Sequence, residues 1–150
     1  MRKYACATVI ALLATGAGAG CGGDEEEPLS KAEYIKQGDA ICEKFGDMID
    51  KEAEEAFADL GPDEEPSEEQ LTTFVEDIAK PNVEDQLSEL RDLPAPEADE
   101  DELNGVYDDV ETALAKIEDD PLVILEEGED PFEEPNDAAR AYGFKECGES

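Results

Sequence analysis

Apolar side chains recur every three to four residues along much of this chain, the spacing that places them on one face of an α-helix. The first such stretch begins at Ser30 and Glu33, which have the spacing of a capping box, and Gly61 with Pro62 ends it. The pattern predicts a first helix of about 30 residues. Its apolar face comprises Ile35, Ile41, Phe45, Met48, Ile49, Ala53, Ala56, Phe57 and Leu60.

A second capping box, Ser67 with Gln70, opens the next helical stretch. Because Pro81 has no N–H for an interior helical bond, we expect it to kink or split this helix. Residues 94–96, Pro-Ala-Pro, stop it, and a third helix is predicted over residues 99–119. The apolar faces of the two helices comprise Leu71, Phe74, Val75, Ile78, Val83, Leu87, Leu90 and Leu93, and then Leu103, Val106, Tyr107, Val110, Leu114 and Ile117.

Short helices are predicted to complete the fold. Asp120 and Pro121 suit the first positions of a short helix ending near Gly128. We expect its residues 122–125, Leu-Val-Ile-Leu, to pack in the core; a strand is the alternative, but no second strand signal exists to pair with it. A last helix contains Phe132, Ala138, Ala139 and Tyr142, with Gly143 at its C-cap. The predicted class is all-α: a small bundle of three long helices plus short C-terminal helices.

An apolar leader precedes this body. Arg2 and Lys3 form a basic region, an apolar run follows from Tyr4 to Ala14, and a Gly/Ala segment leads to Cys21. This order is typical of a secretory signal peptide, since a permanent transmembrane anchor needs about 20 apolar residues. We therefore expect the chain to be exported.

Two cleavage sites compete at the end of the leader. Residues 18–21, Gly-Ala-Gly-Cys, resemble a bacterial lipobox, in which small residues precede a cysteine that becomes the lipidated N-terminus, although Gly18 stands where leucine is usual. Residues 17–19, Ala-Gly-Ala, instead fit the A-x-A pattern. We favour lipidation because residues 22–28 have the composition of a flexible, charged tether. The expected organisation is a lipoprotein signal peptide over 1–20, an acidic tether over 21–28 that begins at lipidated Cys21, and one helical domain over 29–150.

The remaining cysteines, Cys42 and Cys147, lie near the two ends of the body. An even pair in an exported protein predicts a disulfide. The bond would close a loop of about 105 residues and stabilise the fold by roughly 4–5 kcal/mol at most. A metal-binding or redox pair is the alternative, but the chain has no Cys-x-x-Cys motif and no histidine.

Two glycines flank the first of these cysteines at helical spacing. Gly38, Cys42 and Gly46 are four residues apart and therefore lie on one side of the first helix. Each interior glycine costs about 0.5–1 kcal/mol relative to alanine. We expect a close-packing groove at Gly38 and Gly46, where the C-terminal segment crosses the helix; the alternative is two tolerated glycines.

Acidic residues dominate the composition. The chain has 44 Asp and Glu residues against 11 Lys and Arg, a formal net charge of −33, and removal of the leader takes away Arg2 and Lys3 but no acid, which gives −35. Such a charge excludes nucleic acid and anionic lipid headgroups as expected partners. It also makes disorder of the whole body an alternative; the cysteine pair favours a folded domain.

No motif of catalytic chemistry is present in the sequence. Without histidine the usual general base and the commonest metal ligand are missing, and there is no Gly-rich phosphate loop. Carboxylate pairs of the kind that cleave glycosides arise by chance among 44 acids. We expect a non-catalytic protein with no cofactor and no metal centre.

Low-affinity binding of divalent cations is the alternative function. Segments 59–69, 99–102 and 126–134 are rich in the carboxylate oxygens that calcium prefers. None has the D-x-[DN]-x-[DN]-G spacing of a calcium loop. A solvated acidic surface, which keeps a protein soluble and discourages self-association, is favoured over a set of cation sites.

The patches Leu29–Ile35, Ala40–Cys42, Leu90–Pro96 and Ala141–Gly148, spread over most of the body, together resemble small secreted lipoproteins of high-GC Gram-positive bacteria. The resemblance implies a lipid-anchored helical domain with a cysteine near each end, and it implies no catalytic residue and no ligand. We therefore expect a monomeric, non-catalytic lipoprotein on the outer face of the cytoplasmic membrane. Its partners would be the membrane, through the lipid, and an envelope protein or small ligand.

Overall fold

A computed structural model describes residues 27–61, 64–125 and 130–148 of the chain. Within these ranges there are five α-helices and no strand, and the predicted all-α bundle closed by one disulfide is confirmed. The helices are α1 (Lys31–Ala56), α2 (Glu68–Phe74), α3 (Lys80–Arg91), α4 (Glu100–Asp119) and α5 (Glu133–Tyr142). A π-helical turn, Val75–Ala79, joins α2 to α3, and 3-10 turns lie at Val123–Leu125 and Glu146–Gly148.

Helix α1 begins where its capping box predicts. The Ser30 hydroxyl accepts from the Glu33 backbone N–H at 3.4 Å, and the Glu33 carboxylate accepts from the Ser30 N–H at 3.2 Å. These bonds to Ser30 lower the pKa of Glu33. The predicted end at Gly61 is wrong, since α1 ends at Ala56. Its last turn holds no basic residue to balance the helix dipole, and the next residue, Phe57, turns away to pack its ring 5.3 Å from that of Phe74.

Pro81 interrupts the second helical stretch as expected, but without ending it. The chain stays helical from Glu68 to Arg91, and the interruption takes the form of the π turn. In an α-helix the Pro81 ring would clash with the carbonyl four residues earlier. The π turn, in which the Lys80 N–H reaches the Val75 carbonyl, adds the extra residue that changes this spacing.

Asn82 ties the π turn to α1. Its side-chain amide donates to the Ile78 carbonyl and to the Glu52 carboxylate, both at 2.9 Å. Asn82 is also the one buried polar side chain of the described core. A buried amide requires such partners, so the contact fixes the register between α1 and α3.

The centre of the bundle is built on aromatic residues. Tyr34 of α1 lies with its ring 6.3 Å from that of Tyr142 and 6.1 Å from that of Phe144. All three rings are buried. The surrounding aliphatic core comes mainly from α3 and α4, through Leu87, Leu90, Leu103 and Val106.

The segment after α4 differs from the prediction. A 3-10 turn, Val123–Leu125, takes the place of the predicted helix, and Leu122, Val123 and Ile124 are not core: Ile124 is exposed, while Leu122 and Val123 are only partly buried. Although Asp120 caps the turn by accepting from the Leu122 N–H at 3.0 Å, helix nucleation is costly and so short a segment without packing does not propagate. The predicted end near Gly128 lies outside the described residues.

The last helix forms as predicted at its C-terminal end, but Phe132, predicted inside it, is the N-cap residue before Glu133. It ends at Tyr142, and Gly143 follows with φ of 125°, a backbone conformation that favours glycine. The Gly143 N–H donates to the Ala139 carbonyl at 3.1 Å. This turn directs residues 144–148 back across α1.

Candidate functional site: an apolar groove beside the disulfide

An apolar groove with a volume of about 250 Å³ lies between α1, α3, α4 and α5. Each of these helices contributes aliphatic or aromatic side chains to its walls. The residues after α5 complete the lining. Representative members are Ile49, Val83, Leu87, Val110, Phe132 and Phe144.

The predicted disulfide forms part of the groove wall. Cys42 and Cys147 are bonded, with their Cα atoms 5.1 Å apart, and both line the groove. The Gln86 side-chain amide donates to the Cys42 sulfur at 3.3 Å. The bond therefore fixes the C-terminal segment as one boundary of the groove.

The C-terminal segment crosses α1 at Gly38, as the glycine spacing predicts. A Cβ atom at residue 38 would lie 2.5 Å from Cε1 of Phe144 and 3.4 Å from Cδ2 of Leu90. No real Cβ contact is that short, so the Phe144 ring occupies space that only glycine leaves available. The Gly38 carbonyl oxygen is also 3.4 Å from the Cys147 sulfur.

The close approach predicted at Gly46 is wrong. A Cβ atom at residue 46 meets no atom within 4 Å beyond its own helix, because the crossing segment contacts α1 around Gly38 and Cys42 and does not extend to Gly46. Instead, Gly46 lines the groove. The missing side chain leaves space open rather than filled.

Asp39, next to Gly38 on α1, also holds the crossing segment. Its carboxylate accepts from the backbone N–H groups of Lys145 and Glu146, at 2.9 and 3.1 Å. It thereby caps the 3-10 turn Glu146–Gly148. Sequence reasoning missed this contact because the capping residue lies more than 100 positions before the turn, so no local motif marks it.

Among the described residues, Glu146 is the one charged member of the groove lining. It is exposed, and no Lys or Arg within the described ranges forms an ion pair with it. Arg140 bonds to Asp137 and the Gly148 carbonyl, and Lys44 bonds to Glu89. The adjacent Lys145 forms no ion pair with any described residue, Glu146 included. The carboxylate thus gives the groove a single negative charge.

The hydroxyl of Tyr107, another lining residue, is committed to the core. It donates to the Tyr34 hydroxyl, which in turn donates to the Leu90 carbonyl at 3.2 Å. Burial raises the pKa of both tyrosines. Both therefore stay protonated at neutral pH.

A second polar cluster lies at the start of α1, where the body begins. The Tyr142 hydroxyl donates to Asp99 at 2.9 Å, and the Lys31 ammonium is 3.9 Å from that carboxylate and 3.8 Å from the centre of the Tyr142 ring. Burial and the adjacent Asp99 raise the pKa of Tyr142. The Leu29 N–H also donates to the Pro94 carbonyl at 3.0 Å, which fixes where the chain enters the bundle.

Several predicted features bear on other kinds of site. The described residues hold no group of three or more Cys, Asp or Glu arranged to hold a metal ion, although acidic segments 59–69 and 126–134 lie partly outside them. No helix in the described part of the chain is long and apolar enough to cross a bilayer. Cys21 and the leader over residues 1–20 lie outside the described ranges.

Comparison of the chain with protein-family models, with curated proteins and with solved structures gives no match. The likeness to secreted lipoproteins drawn from the sequence patches therefore stays a prediction.

Proposed function

We propose that the protein is a non-catalytic lipoprotein of the cell envelope that holds a small apolar molecule in the groove. The observation that carries this proposal is an open apolar space of about 250 Å³ with Gly46 in its lining. An engineered apolar cavity of about 150 Å³ is enough to bind benzene. The groove has room for a molecule somewhat larger than that.

The glycine at residue 46 supports a binding role. An interior glycine costs a helix about 0.5–1 kcal/mol relative to alanine, and at Gly38 this cost is offset by the packing of Phe144. Gly46 has no such packing. Unlike Gly105, which also has no neighbour within 4 Å, Gly46 lines the groove, where the absence of a side chain leaves space for a ligand.

The chemistry of the lining favours binding over catalysis. Among the described lining residues the titratable side chains are Glu146 and Tyr107, and the Tyr107 hydroxyl is hydrogen-bonded to that of Tyr34. Its two cysteines are bonded to each other and so offer no thiolate nucleophile. General acid–base catalysis needs a positioned proton donor or acceptor beside the reacting atoms, and the chain has no histidine to serve.

The expected position at the membrane is compatible with this role. A lipid on Cys21 would lie a short tether away from Leu29, where the body begins. Gly46 is 15 residues along α1 from Lys31, a rise of about 22 Å at the helical repeat. The groove would therefore face the envelope at a distance from the anchored end, accessible to an incoming ligand.

A dye titration tests the groove. We would use the full chain carrying Cys21→Ser, which removes the lipid, and the neutral environment-sensitive dye prodan as the apolar probe. We expect saturable binding with a blue-shifted emission. Gly46→Leu should weaken binding at least about tenfold because the leucine side chain would occupy groove space, and a misfit of even one methylene in an apolar pocket is worth about 1–3 kcal/mol.

Gly105→Leu is the matched control. Gly105 is an exposed helical glycine of α4 with no atom within 4 Å of a Cβ, and it does not line the groove. The Gly105→Leu substitution should leave the affinity for prodan unchanged. Equal binding by the Gly46→Leu and Gly105→Leu proteins would remove the groove as the site.

A further inference from the structure

We infer that the groove selects a small apolar molecule that carries one positive charge, with Glu146 as the group that meets the charge. This rests on the proposed function, because it names the ligand class of the same groove.

Glu146 is held in place from both sides. Asp39 accepts from its backbone N–H at 3.1 Å, and the next residue, Cys147, is bonded to Cys42 of α1. The backbone that carries this carboxylate is therefore fixed beside the groove. A charge on a fixed backbone loses less freedom when it meets a ligand than one on a free chain end.

The sign of this charge decides among ligands with the same apolar part. A carboxylate or sulfate on the ligand would be repelled by Glu146, and a neutral ligand would gain nothing from it. The net charge of −33 acts in the same direction, because it lowers the local concentration of anions and raises that of cations. The lining residues that the structure describes include no Lys or Arg to reverse this preference.

Aromatic rings in the lining add to the preference. Phe132 and Phe144 both contribute to the groove, whereas the Arg91 guanidinium already lies 5.2 Å from the centre of the Tyr107 ring. The faces of aromatic rings attract cations, and a substituted ammonium group is the ligand cation best suited to such contacts because it is weakly hydrated. An apolar amine or quaternary ammonium compound therefore fits both the walls and the charge.

The volume of the groove limits the size of the ligand's apolar part. About 250 Å³ is near the lower bound of ordinary ligand pockets, which span roughly 300–1,000 Å³. A single ring system or a short alkyl chain fits this space. The inferred ligand class is thus a compact amphiphilic cation.

The test uses three probes that share one alkyl chain: octyltrimethylammonium, 1-octanol and octyl sulfate, each below the concentration at which it forms micelles. Their affinities for the full chain carrying Cys21→Ser are measured by calorimetry and by displacement of prodan, at about 0.15 M salt, where charges more than about 8 Å apart are largely screened. We expect the ammonium compound to bind tightest and the sulfate weakest.

Glu146→Gln separates the local charge from the general field. It should weaken binding of the ammonium compound about three- to fivefold, as for a partly exposed ionic contact. The affinity for octanol should stay unchanged. Glu54→Gln removes the same charge from an exposed position of α1 outside the lining. Glu54→Gln should lower the affinity for the ammonium compound less than Glu146→Gln does.

The outcomes distinguish the two proposals. If octanol and the ammonium compound bind equally well, or if Glu146→Gln and Glu54→Gln have the same effect, the inference about charge is overturned while the groove remains a binding site. If octyl sulfate binds tightest, the charge inference is likewise wrong. If Gly46→Leu changes neither prodan nor octanol binding, the proposed function itself falls.

Discussion

The ring of Phe144 occupies the position where a side chain on Gly38 would begin, 2.5 Å from the Cβ that alanine would carry. Neither partner can move readily. Phe144 is held between the buried rings of Tyr34 and Tyr142, at 6.1 and 5.3 Å, while Gly38 is in the middle of a long helix. The contact therefore makes residue 38 intolerant of any side chain.

Gly38→Ala should destabilise the fold by about 1–2 kcal/mol. Overpacking costs about 1–3 kcal/mol, and the better helix propensity of alanine offsets about 0.5–1 kcal/mol of it. Gly46→Ala, at a position with no neighbour, should stabilise by about 0.5–1 kcal/mol. Denaturant unfolding followed by circular dichroism, with the disulfide intact, measures both. A Gly38→Ala protein as stable as the wild type would show that the contact is loose.

The disulfide should carry a large share of the stability. It joins residues 105 positions apart, for which the chain-entropy model gives up to roughly 4.7 kcal/mol, less any strain. Replacing both Cys42 and Cys147 by alanine should lower the free energy of unfolding by about 3–5 kcal/mol. Cys21→Ser is the control and should leave it unchanged. Non-reducing peptide mapping must recover the linked pair; two free thiols would contradict the structure.

Asp39 should contribute measurably to the free energy of unfolding through its two hydrogen bonds to the backbone. Asp39→Ala removes the acceptor for the N–H groups of Lys145 and Glu146 and should cost about 1–2 kcal/mol, as for loss of a helix cap. Asp47→Ala, an exposed acid of the same helix, controls for relief of charge repulsion. Hydrogen exchange should show the two amides losing protection in the first variant alone. Unchanged exchange would mean that the disulfide suffices to hold the turn.

Helix starts could be predicted because their signals are local. Each capping box satisfies backbone N–H groups three residues away, in Ser30 with Glu33 and in Ser67 with Gln70. A four-residue segment therefore specifies each of these two helix starts. The end of α1 is different. It depends on the contact between Phe57 and a ring of the next helix, and no pattern within α1 records that contact.

The groove could be predicted only in part. Its aliphatic residues have the same helical spacing as core residues, so periodicity assigns both to one apolar face. Gly38 and Gly46 gave the same signal in the sequence, and their opposite roles follow from where the C-terminal segment crosses α1. The charge at Glu146 could not be assigned either, because it joins the lining through a disulfide that spans nearly the whole body.

The three tyrosines of the body should make the fold sensitive to alkali. Burial raises the pKa of Tyr34, Tyr107 and Tyr142 in the folded protein, whereas an unfolded tyrosine ionises near pH 10. Below about pH 10 both states keep these protons and the tyrosines cause no pH dependence. Above it the unfolded state binds fewer protons than the native state, so stability falls as the pH rises.

Spectroscopic titration checks this pH dependence. Tyr4 lies outside the described residues, so the Tyr4→Phe chain is used to leave three tyrosines. We expect tyrosinate absorbance and loss of helical circular dichroism to rise together above about pH 10. The same chain in denaturant should titrate near pH 10 without cooperativity. Ionisation of all three tyrosines near pH 10 in a protein that is still helical would contradict the buried network.

Lipidation of Cys21 is the last prediction. Because Cys42 and Cys147 are bonded to each other, neither is available to Cys21, and cleavage after Ala19 would leave Cys21 as an exposed thiol near the new N-terminus. Mass spectrometry of the membrane fraction should therefore find an acylated Cys21 as the first residue. Cys21→Ser should release the protein from the membrane, because a stable anchor requires the acyl chains. Gly18→Leu, which restores the usual lipobox residue, should raise the acylated fraction, and an unmodified N-terminus at Gly20 in the wild type would remove the anchor.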